Sequence, residues 1–168
     1  MRAIPWEVGD SKLSDAYIAG FLDGDGSIVA TLELRPERRR FPNRVRLKIN
    51  FTQHARHIQF LELLQNYLGK VGSIYVNKKK NLAELVIQDR AQVRSLLLRF
   101  LPHLVLKRRQ SVAMLAILDV YAQATVNVRS SLTEKEYATI LSFVRDIRSL
   151  NSRTGGKRSI ESLDPVTT

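Results

Sequence analysis

Two carboxylates stand two residues apart in the stretch Asp23-Gly24-Asp25-Gly26. A predicted helix ends just before them, and the partial negative charge of a helix C-terminus makes an anion there unfavourable by about 0.3–1 kcal/mol. A hard cation such as Mg²⁺ would offset this cost, because it prefers oxygen ligands from carboxylates and backbone carbonyls. The stretch also suits a plain turn, since Asp and Gly both favour turns. These four residues alone leave the turn and the metal site open.

The chain lacks the residues that several other metal sites and hydrolytic mechanisms need. A calcium loop of the EF-hand type needs Gly at its sixth position and Glu at its twelfth, but the chain has Ile28 and Leu34 there. The chain has no Cys and only three His, at positions 54, 57 and 103. Disulfides and thiolate catalysis are therefore excluded, and a zinc site of the HExxH type cannot form. The spacing of His54 and His57 favours a solvated helix start over a metal-binding pair.

The overall charge points to a polyanionic partner. The chain of 168 residues has 27 Lys and Arg against 16 Asp and Glu, a formal net charge of +11. Such a surplus favours nucleic acid first and an anionic membrane surface second, and a basic surface without a specific partner is the alternative. The start of the chain has no apolar leader, and no apolar run approaches the roughly 18 residues of a membrane span. We therefore expect a soluble intracellular protein with no membrane partner.

Hydrophobic periodicity predicts a single α+β domain. Helical spacing of apolar residues occurs in five segments, residues 13–22, 54–68, 91–101, 109–122 and 134–150. Strands are predicted in four segments, residues 27–35, 44–51, 73–77 and 82–88. The resulting order, α-β-β-α-β-β-α with additional C-terminal helices, predicts a four-stranded antiparallel sheet backed by helices. We expect one domain over residues 1–168, with a core of about residues 13–151 and a polar, basic tail.

The predicted strand at residues 44–51 has the most regular alternation in the chain. Its apolar residues form one face, and the other face is formed by Arg44, Arg46, Lys48 and Asn50. A period of two places the apolar face in the core and turns this row of cations and an amide away from it. A solvated sheet face and a nucleic-acid interface are both compatible with such a row.

The longer stretch around the two carboxylates favours the metal site over the plain turn. Residues 17–27, with the sequence YIAGFLDGDGS, resemble the LAGLIDADG motif that names a family of homing endonucleases. The match includes the small pair Ala19-Gly20, the apolar pair Phe21-Leu22 and the final Gly-Asp-Gly. The chain is most similar to the single-motif enzymes encoded by organellar group I introns, which act as homodimers, and the resemblance covers about residues 13–151.

The resemblance implies a homodimer that holds its metal on the two-fold axis. Small residues would let the motif helix pack closely against its twin. The implied dimer interface comprises Tyr17, Ala19, Gly20 and Phe21. Each helix would bring one Asp25 to the axis, where its carboxylate and the Gly24 carbonyl bind Mg²⁺. The metal would support hydrolysis of the DNA phosphodiester, while Asp23 is expected to be structural.

Three further catalytic positions carry over from the resemblance. Family members have a Gln at the end of the second strand, which is Gln53 here, and a Lys after a Pro-containing turn, which is Lys107 here. They also have Arg or Lys four residues after the Gln, where this chain has His57. Protonated His57 or the adjacent Arg56 would supply this cation, unless the role is lost. Each of these residues alone is also compatible with an ordinary surface position.

The resemblance implies that the sheet lies in the DNA major groove on each side of the cut, where Arg or Lys suits guanine and Asn suits adenine. The residues expected to face the bases are Thr31, Glu33, Arg35, Arg44, Arg46, Lys48, Asn50, Ser73, Tyr75 and Asn77. The residues expected to contact phosphates are Arg38, Arg39, Arg40, Lys79, Arg153, Lys157 and Arg158. Because Glu33 is an acid on this face, it must either accept a hydrogen bond from cytosine or pair with a cation.

Three functions remain to be distinguished. The first is Mg²⁺-dependent cleavage of a long pseudo-palindromic site in double-stranded DNA, which the combination of Asp25, Gln53 and Lys107 favours. The second is binding without cleavage, as in family members that act as RNA maturases or transcription regulators, and a maturase would add intron RNA as a partner. The third is a structural RNA-binding protein, which charge and length permit but the motif helix disfavours. The resemblance alone suggests a chloroplast or mitochondrial location.

Overall fold

The computed structural model of the chain describes residues 13–37, 40–126 and 132–151. The predicted phosphate contacts that lie outside the described residues are Arg38, Arg39, Arg153, Lys157 and Arg158. The described helices are α1 (Asp15–Asp25), α2 (Ile58–Tyr67), α3 (Arg90–Phe100), α4 (Arg108–Val126) and α5 (Glu134–Leu150). The described strands are β1 (Gly26–Leu34), β2 (Asn43–His54), β3 (Ser73–Asn77) and β4 (Leu82–Ile87). A short 3-10 turn (Ala55–His57) joins β2 to α2, and none of the described helices is long and apolar enough to span a membrane.

The four strands form one antiparallel sheet in the order β1-β2-β4-β3, and this confirms the predicted architecture. β2 extends beyond the predicted end at Phe51, because its following residues up to His54 still pair with β4. Polar residues occupy this extension, so hydrophobic periodicity does not reveal it. The consequence is that Gln53 lies near the end of a hydrogen-bonded strand, opposite Ala83.

One face of the sheet packs against the helices and forms a continuous core. Buried residues from all five described helices and from β1, β2 and β4 belong to one cluster, and the burial of their apolar surface is the main force that holds the layers together. In α1, Ile18 and Leu22 are completely buried. At the far end of β1, Leu34 is 65% exposed, although it alternates with the buried residues Ile28 and Ala30. Leu34 is the last residue of the strand and pairs with Asn43 at the open end of the ladder.

Both ends of α1 are fixed by specific backbone contacts. The side-chain oxygen of Ser14 accepts a hydrogen bond from the Tyr17 N–H at 3.2 Å and caps the start of the helix. The helix ends at Asp25, three residues later than predicted, and the Gly26 N–H donates to the Leu22 carbonyl. A Cβ atom at Gly26 would lie 2.8 Å from that carbonyl oxygen, so the close turn into β1 requires glycine. Helix and sheet therefore meet directly at Asp25.

Candidate active site and nucleic-acid interface

The end of α1 brings Asp25 beside Gln53. β1 starts at the next residue and pairs with β2 so that Gly26 lies opposite Phe51, which places the end of β2 next to the end of the helix. Gln53 Nε2 donates a hydrogen bond to Asp25 Oδ2 at 3.3 Å. Asp25 is exposed and Gln53 is half-buried, so the carboxylate is held on one side and open to solvent on the other. Two predicted site residues are thus neighbours in space.

The carboxylate of Asp23 has a different environment from that of Asp25. Its Oδ2 accepts hydrogen bonds from the backbone N–H groups of Val105 at 2.7 Å and Leu106 at 3.1 Å. Its Oδ1 accepts a third from the N–H of Lys107 at 2.9 Å. Three successive backbone donors around one carboxylate form an anion-binding turn just before α4. These hydrogen bonds to Asp23 therefore hold the segment at residues 105–107 against the end of α1.

Lys107 is the third predicted residue at the end of α1. Its Nζ donates a hydrogen bond to the backbone carbonyl of Asp23, which is one of the terminal helix carbonyls without a helical partner. Burial lowers the pKa of Lys107, and the carboxylates of Asp23 and Asp25 oppose this shift. The ammonium group therefore lies within the electrostatic reach of both acids. Asp25, Gln53 and Lys107, which come from α1, β2 and the segment before α4, converge on one helix end.

His57 occupies the position where the family resemblance predicts a cation, and it lies beside Arg56. Arg56 Nε donates a hydrogen bond to His57 Nε2 at 3.1 Å, and the His54 ring accepts one from the Arg56 N–H at 3.2 Å. His57 Nε2 is the acceptor in this contact, and the permanent charge of the pair belongs to the Arg56 guanidinium. Of the alternatives that the sequence leaves open, this geometry favours Arg56 as the cation.

The oxygen donors at the end of α1 fit a magnesium ion, and one chain supplies one open carboxylate among them. Asp25 offers an exposed carboxylate, and Gly24 lies in the last turn of α1, where backbone carbonyls lack helical partners. Mg²⁺ is typically held by one or two carboxylates and retains several water molecules. The described residues contain no cluster of three or more His, Cys, Asp or Glu side chains able to hold a metal. Because backbone N–H groups engage the Asp23 carboxylate, a second open carboxylate at this helix end would come from another molecule.

The outward face of α1 differs in part from the predicted dimer interface. Tyr17 is 54% exposed. Gly20 is also exposed, and a Cβ atom added there would meet no neighbouring atom within 4 Å. Ala19, however, is completely buried in the core of its own chain, and Phe21 stacks on Phe51 at 5.7 Å. The prediction that Ala19 faces a twin helix is therefore wrong.

The reason for this difference is the rotation of about 100° between successive helical residues, which prevents Ala19 and Gly20 from sharing one face. The small residues that do share the exposed face recur every fourth position, at Ala16, Gly20 and Gly24. This spacing is visible in the sequence, although the family motif draws attention to the adjacent pair instead. The outward face thus presents small residues along its whole length and ends beside Asp25.

The sheet face opposite the core and the loops that connect its strands present most of the predicted DNA contacts. Those that are exposed are Thr31, Arg40, Arg44, Arg46, Ser73, Tyr75, Asn77 and Lys79. Those that are half-buried are Glu33, Arg35 and Lys48. Asn50 is 7% exposed, because Ser27 of β1 and Val86 of β4 pair with it on either side. The prediction that Asn50 stands open to a base edge is therefore wrong for the chain in this conformation.

The fold and the helix end together define a class of protein. An α-β-β-α-β-β-α chain whose first helix delivers a carboxylate to the edge of a sheet, beside a Gln and a Lys, has the architecture expected of the homing endonucleases. The sequence model of the LAGLIDADG endonuclease family matches residues 18–121, which is more than half of the chain. This protein belongs to the LAGLIDADG endonuclease family.

Individual relatives agree with this membership. DNA endonuclease I-CreI of Chlamydomonas reinhardtii is 26% identical over 151 residues, which cover 89% of this chain and 86% of that enzyme. The homing endonuclease I-CvuI, solved with its DNA target in the presence of Ca²⁺, matches with a TM-score of 0.70 at 24% identity over 87% of this chain and 85% of that one. I-CvuI has also been solved with a DNA target that is not cleaved in the presence of Mg²⁺.

An archaeal relative extends the structural comparison. The intron-encoded homing endonuclease I-Vdi141I, complexed with DNA, matches with a TM-score of 0.71 at 16% identity, over 88% of this chain and 90% of that one. At such identities the likeness concerns the fold. It confirms the predicted homing endonuclease fold with its four-stranded sheet.

Proposed function

We propose that this protein is a sequence-specific, metal-dependent homing endonuclease that cleaves double-stranded DNA as a homodimer. The observation that carries the proposal is the exposed carboxylate of Asp25, which is held by Gln53 and lies within the electrostatic reach of Lys107. Of the two carboxylates at the helix end, Asp23 is engaged by backbone N–H groups and Asp25 is open to solvent. Since a symmetric dimer would place two copies of α1 together, it is the simplest way to complete the site.

The relatives support the proposed substrate and cofactor. I-CreI is a DNA endonuclease, and I-CvuI and I-Vdi141I have been solved with DNA. The structures of I-CvuI were determined in the presence of Ca²⁺ or Mg²⁺. Both ions prefer oxygen ligands, and the end of α1 offers such ligands. A role toward intron RNA stays a prediction.

Each residue at the helix end has a role that follows from its position. When bound, Mg²⁺ would lower the pKa of an attacking water molecule and stabilise the charge that develops on the phosphodiester. Asp25 and the Gly24 carbonyl would hold the ion. Gln53 keeps the Asp25 carboxylate in place through its amide nitrogen, and its amide oxygen can orient a water molecule. The Lys107 ammonium adds positive charge where the scissile phosphate would lie.

The charge of the sheet face supports DNA as the substrate. The net charge of +11 on one chain doubles in a dimer, and β2 carries the exposed cations Arg44 and Arg46 on the face opposite the core. Cations on such a surface neutralise phosphates and release counterions, so the affinity should fall steeply as salt rises. The exposed polar residues of β3 extend the same surface along the sheet.

A cleavage-site selection tests the proposal. The full chain is incubated with Mg²⁺ and a library of randomised, pseudo-palindromic DNA, and the cut products are sequenced. We expect a defined, two-fold symmetric site that is cut only when Mg²⁺ is present. Tight, selective binding without any cleavage would overturn the enzymatic proposal in favour of a non-cleaving family member. A complex with one protein chain per DNA site, measured by analytical ultracentrifugation, would overturn the homodimer.

A further inference from the structure

An acidic residue lies among the cations of the basic sheet face, near the end of the edge strand β1. Glu33 of β1 lies opposite Arg44 of β2 in the sheet register, and Arg46 is its diagonal neighbour. Glu33 Oε2 accepts a hydrogen bond from Arg46 Nε, and Glu33 Oε1 lies 2.9 Å from Arg35 Nη2. One carboxylate thus joins two guanidinium groups. The sequence leaves open whether Glu33 pairs with a cation or with cytosine, and the structure has it paired with cations.

These ion pairs do not explain Glu33 as a stabilising residue. The hydrogen bond from Arg46 lowers the pKa of Glu33, with Arg35 and Arg44 adding to the effect, so the carboxylate is ionised at neutral pH. The side chains of Glu33 and Arg46 are 33% and 46% exposed, and ion pairs between exposed side chains contribute little to folding stability. An acid here would also be repelled by DNA phosphates. Its effect on the neighbouring arginines offers a better explanation.

The contact with Glu33 determines which edge of Arg46 can bind a further partner. A guanidinium group has donors on its Nε side and at its two terminal nitrogens. Because Nε donates to Glu33, the terminal nitrogens Nη1 and Nη2 remain for DNA. Two such parallel donors match the O6 and N7 acceptors of guanine in the major groove. A side chain that is oriented in advance also loses less conformational entropy when it binds.

The two other arginines near Glu33 provide an internal comparison. Arg35 shares its charge between Glu33 and, at 4.0 Å, Glu37, so less of that charge is available to phosphates. Arg44 lies opposite Glu33, yet among the described residues it forms no ion pair. Arg46 is therefore the oriented cation of this group, and Arg44 is the unrestrained one.

We propose that Glu33 is a specificity-determining residue that positions Arg46 to read one guanine in each half of the DNA site. The inference rests on the proposed function, because it assumes that this sheet face meets the major groove. Arg46 lies opposite Thr31, five residues along β1 from Gly26. This separation is about 17 Å at ~3.4 Å per residue, or about five base pairs at ~3.4 Å per pair. The guanine is therefore expected about five base pairs outward from the cut.

A binding-specificity profile tests this role. Wild-type protein, Glu33→Ala, Arg46→Ala and the control Glu37→Ala are each selected against half-sites randomised one position at a time, without divalent metal so that binding is measured apart from cleavage. Alanine is used because a Gln amide oxygen could still accept the hydrogen bond from Arg46 Nε. Wild type and Glu37→Ala should prefer guanine at one outer position. Glu33→Ala and Arg46→Ala should lose that preference about tenfold, the scale of one good base contact, with other positions unchanged. Both Glu→Ala variants should bind random DNA more tightly, because each removes one negative charge.

The outcomes separate this inference from the proposed function. If wild type selects a defined site and Glu33→Ala selects the same site with the same strength at every position, the positioning role of Glu33 is wrong while the endonuclease proposal stands. If Glu37→Ala loses the guanine preference as strongly as Glu33→Ala, the effect is one of general charge and the inference also fails. If wild type selects no sequence at all, the proposed function fails and the inference with it.

Discussion

Asp23 and Asp25 stand two residues apart at the end of α1, and their surroundings are opposite. Three backbone N–H groups from residues 105–107 surround the first carboxylate. The second is exposed and accepts a hydrogen bond from Gln53. Because successive helical residues are rotated by about 100°, side chains two residues apart point in nearly opposite directions. One therefore meets the chain's own backbone and the other faces outward.

This difference teaches that the partners of a carboxylate, more than its place in the motif, determine what it can do. An ionised carboxylate has about four acceptor positions, and the three backbone donors around Asp23 use most of them. Asp25 keeps most of its positions for a metal ion or water. The same residue type thus serves as an anchor at one position and as a candidate metal ligand at the other.

The largest expected effect follows from removing the open carboxylate. Asp25→Asn should lower the rate of DNA cleavage by about a thousandfold or more, as expected when several kcal/mol of metal-based stabilisation are lost. Binding of the target DNA should remain, because the charged sheet face is unchanged. Single-turnover cleavage and a binding titration measure the two effects separately. Equal cleavage by the variant and by wild type would remove Asp25 from the mechanism.

Removing the anchoring carboxylate should have a smaller and different effect. In Asp23→Asn the new NH₂ group would face a backbone N–H, so the variant should lose about 1–3 kcal/mol of stability, the scale of hydrogen bonds to charged groups. Lys107 should then shift, and misplacement on the scale of an ångström slows catalysis by up to about a hundredfold. Denaturant unfolding and single-turnover cleavage measure both losses. The control Asp146→Asn changes an exposed acid on α5 and should change neither; a comparable loss there would contradict the anchoring role.

A large part of this helix end can be predicted from the sequence. The motif identifies Asp25, and the order of elements with the family pattern identifies Gln53 and Lys107. The partners of Asp23 cannot be predicted in this way, because they are backbone N–H groups 82 to 84 residues away and any residue type except proline supplies a backbone N–H. The motif also led to a wrong prediction for Ala19. It specifies residue types, but it does not specify which face of the helix each residue lies on.

In the sheet as well, some contacts cannot be predicted from the sequence, but the reason is different. Strict alternation correctly predicts the two faces of β2, but it cannot predict that neighbouring strands cover Asn50, since that depends on which strands flank β2. In the same way, alternation places Glu33 beside a basic row without indicating that it bonds Arg46 diagonally. The alternation of residues along the sequence predicts each strand and the face on which a residue lies. The contacts between neighbouring strands then determine which residues become its partners.

The pair at residues 56 and 57 gives a further, smaller prediction about the same site. Arg56→Gln should slow cleavage about tenfold, the free-energy equivalent of about 1.4 kcal/mol, because Arg56 carries the permanent charge. His57→Gln should have a weaker effect, since the Gln amide oxygen can still accept from Arg56 Nε, as His57 does now. The single-turnover cleavage rates of the two variants are measured under identical conditions and compared. A greater loss for His57→Gln would assign the role to the histidine instead.

The smallest effect is expected at the third carboxylate of α1. Asp15 accepts two hydrogen bonds from Arg99, at 2.6 and 3.2 Å, and the hydrogen bond from Arg99 is the main cause that lowers the pKa of Asp15. Asp15→Asn should cost about 1 kcal/mol or less at pH 7, because the side chains are 30% and 37% exposed. Cleavage should be unchanged.

The pH dependence of that loss has a definite sign. A carboxyl group whose pKa is lower in the folded state stabilises the fold above its unfolded pKa of about 3.9, and this contribution disappears as the pH falls through the folded value. Unfolding free energies of wild type and Asp15→Asn should therefore converge as the pH is lowered below about 4. A difference that stays constant into acid would show that the ion pair with Arg99 is not its cause.

Calcium binding tests most directly whether Asp25 is the metal ligand and Asp23 the anchor. Isothermal titration of Ca²⁺ into the protein–DNA complex, with Ca²⁺ as a hard cation that prefers oxygen ligands as Mg²⁺ does, is carried out for wild type, Asp25→Asn and Asp23→Asn. Wild type and folded Asp23→Asn should bind the ion, and Asp25→Asn should show no binding. Undiminished binding by Asp25→Asn, or its loss in a folded Asp23→Asn, would contradict the assignment.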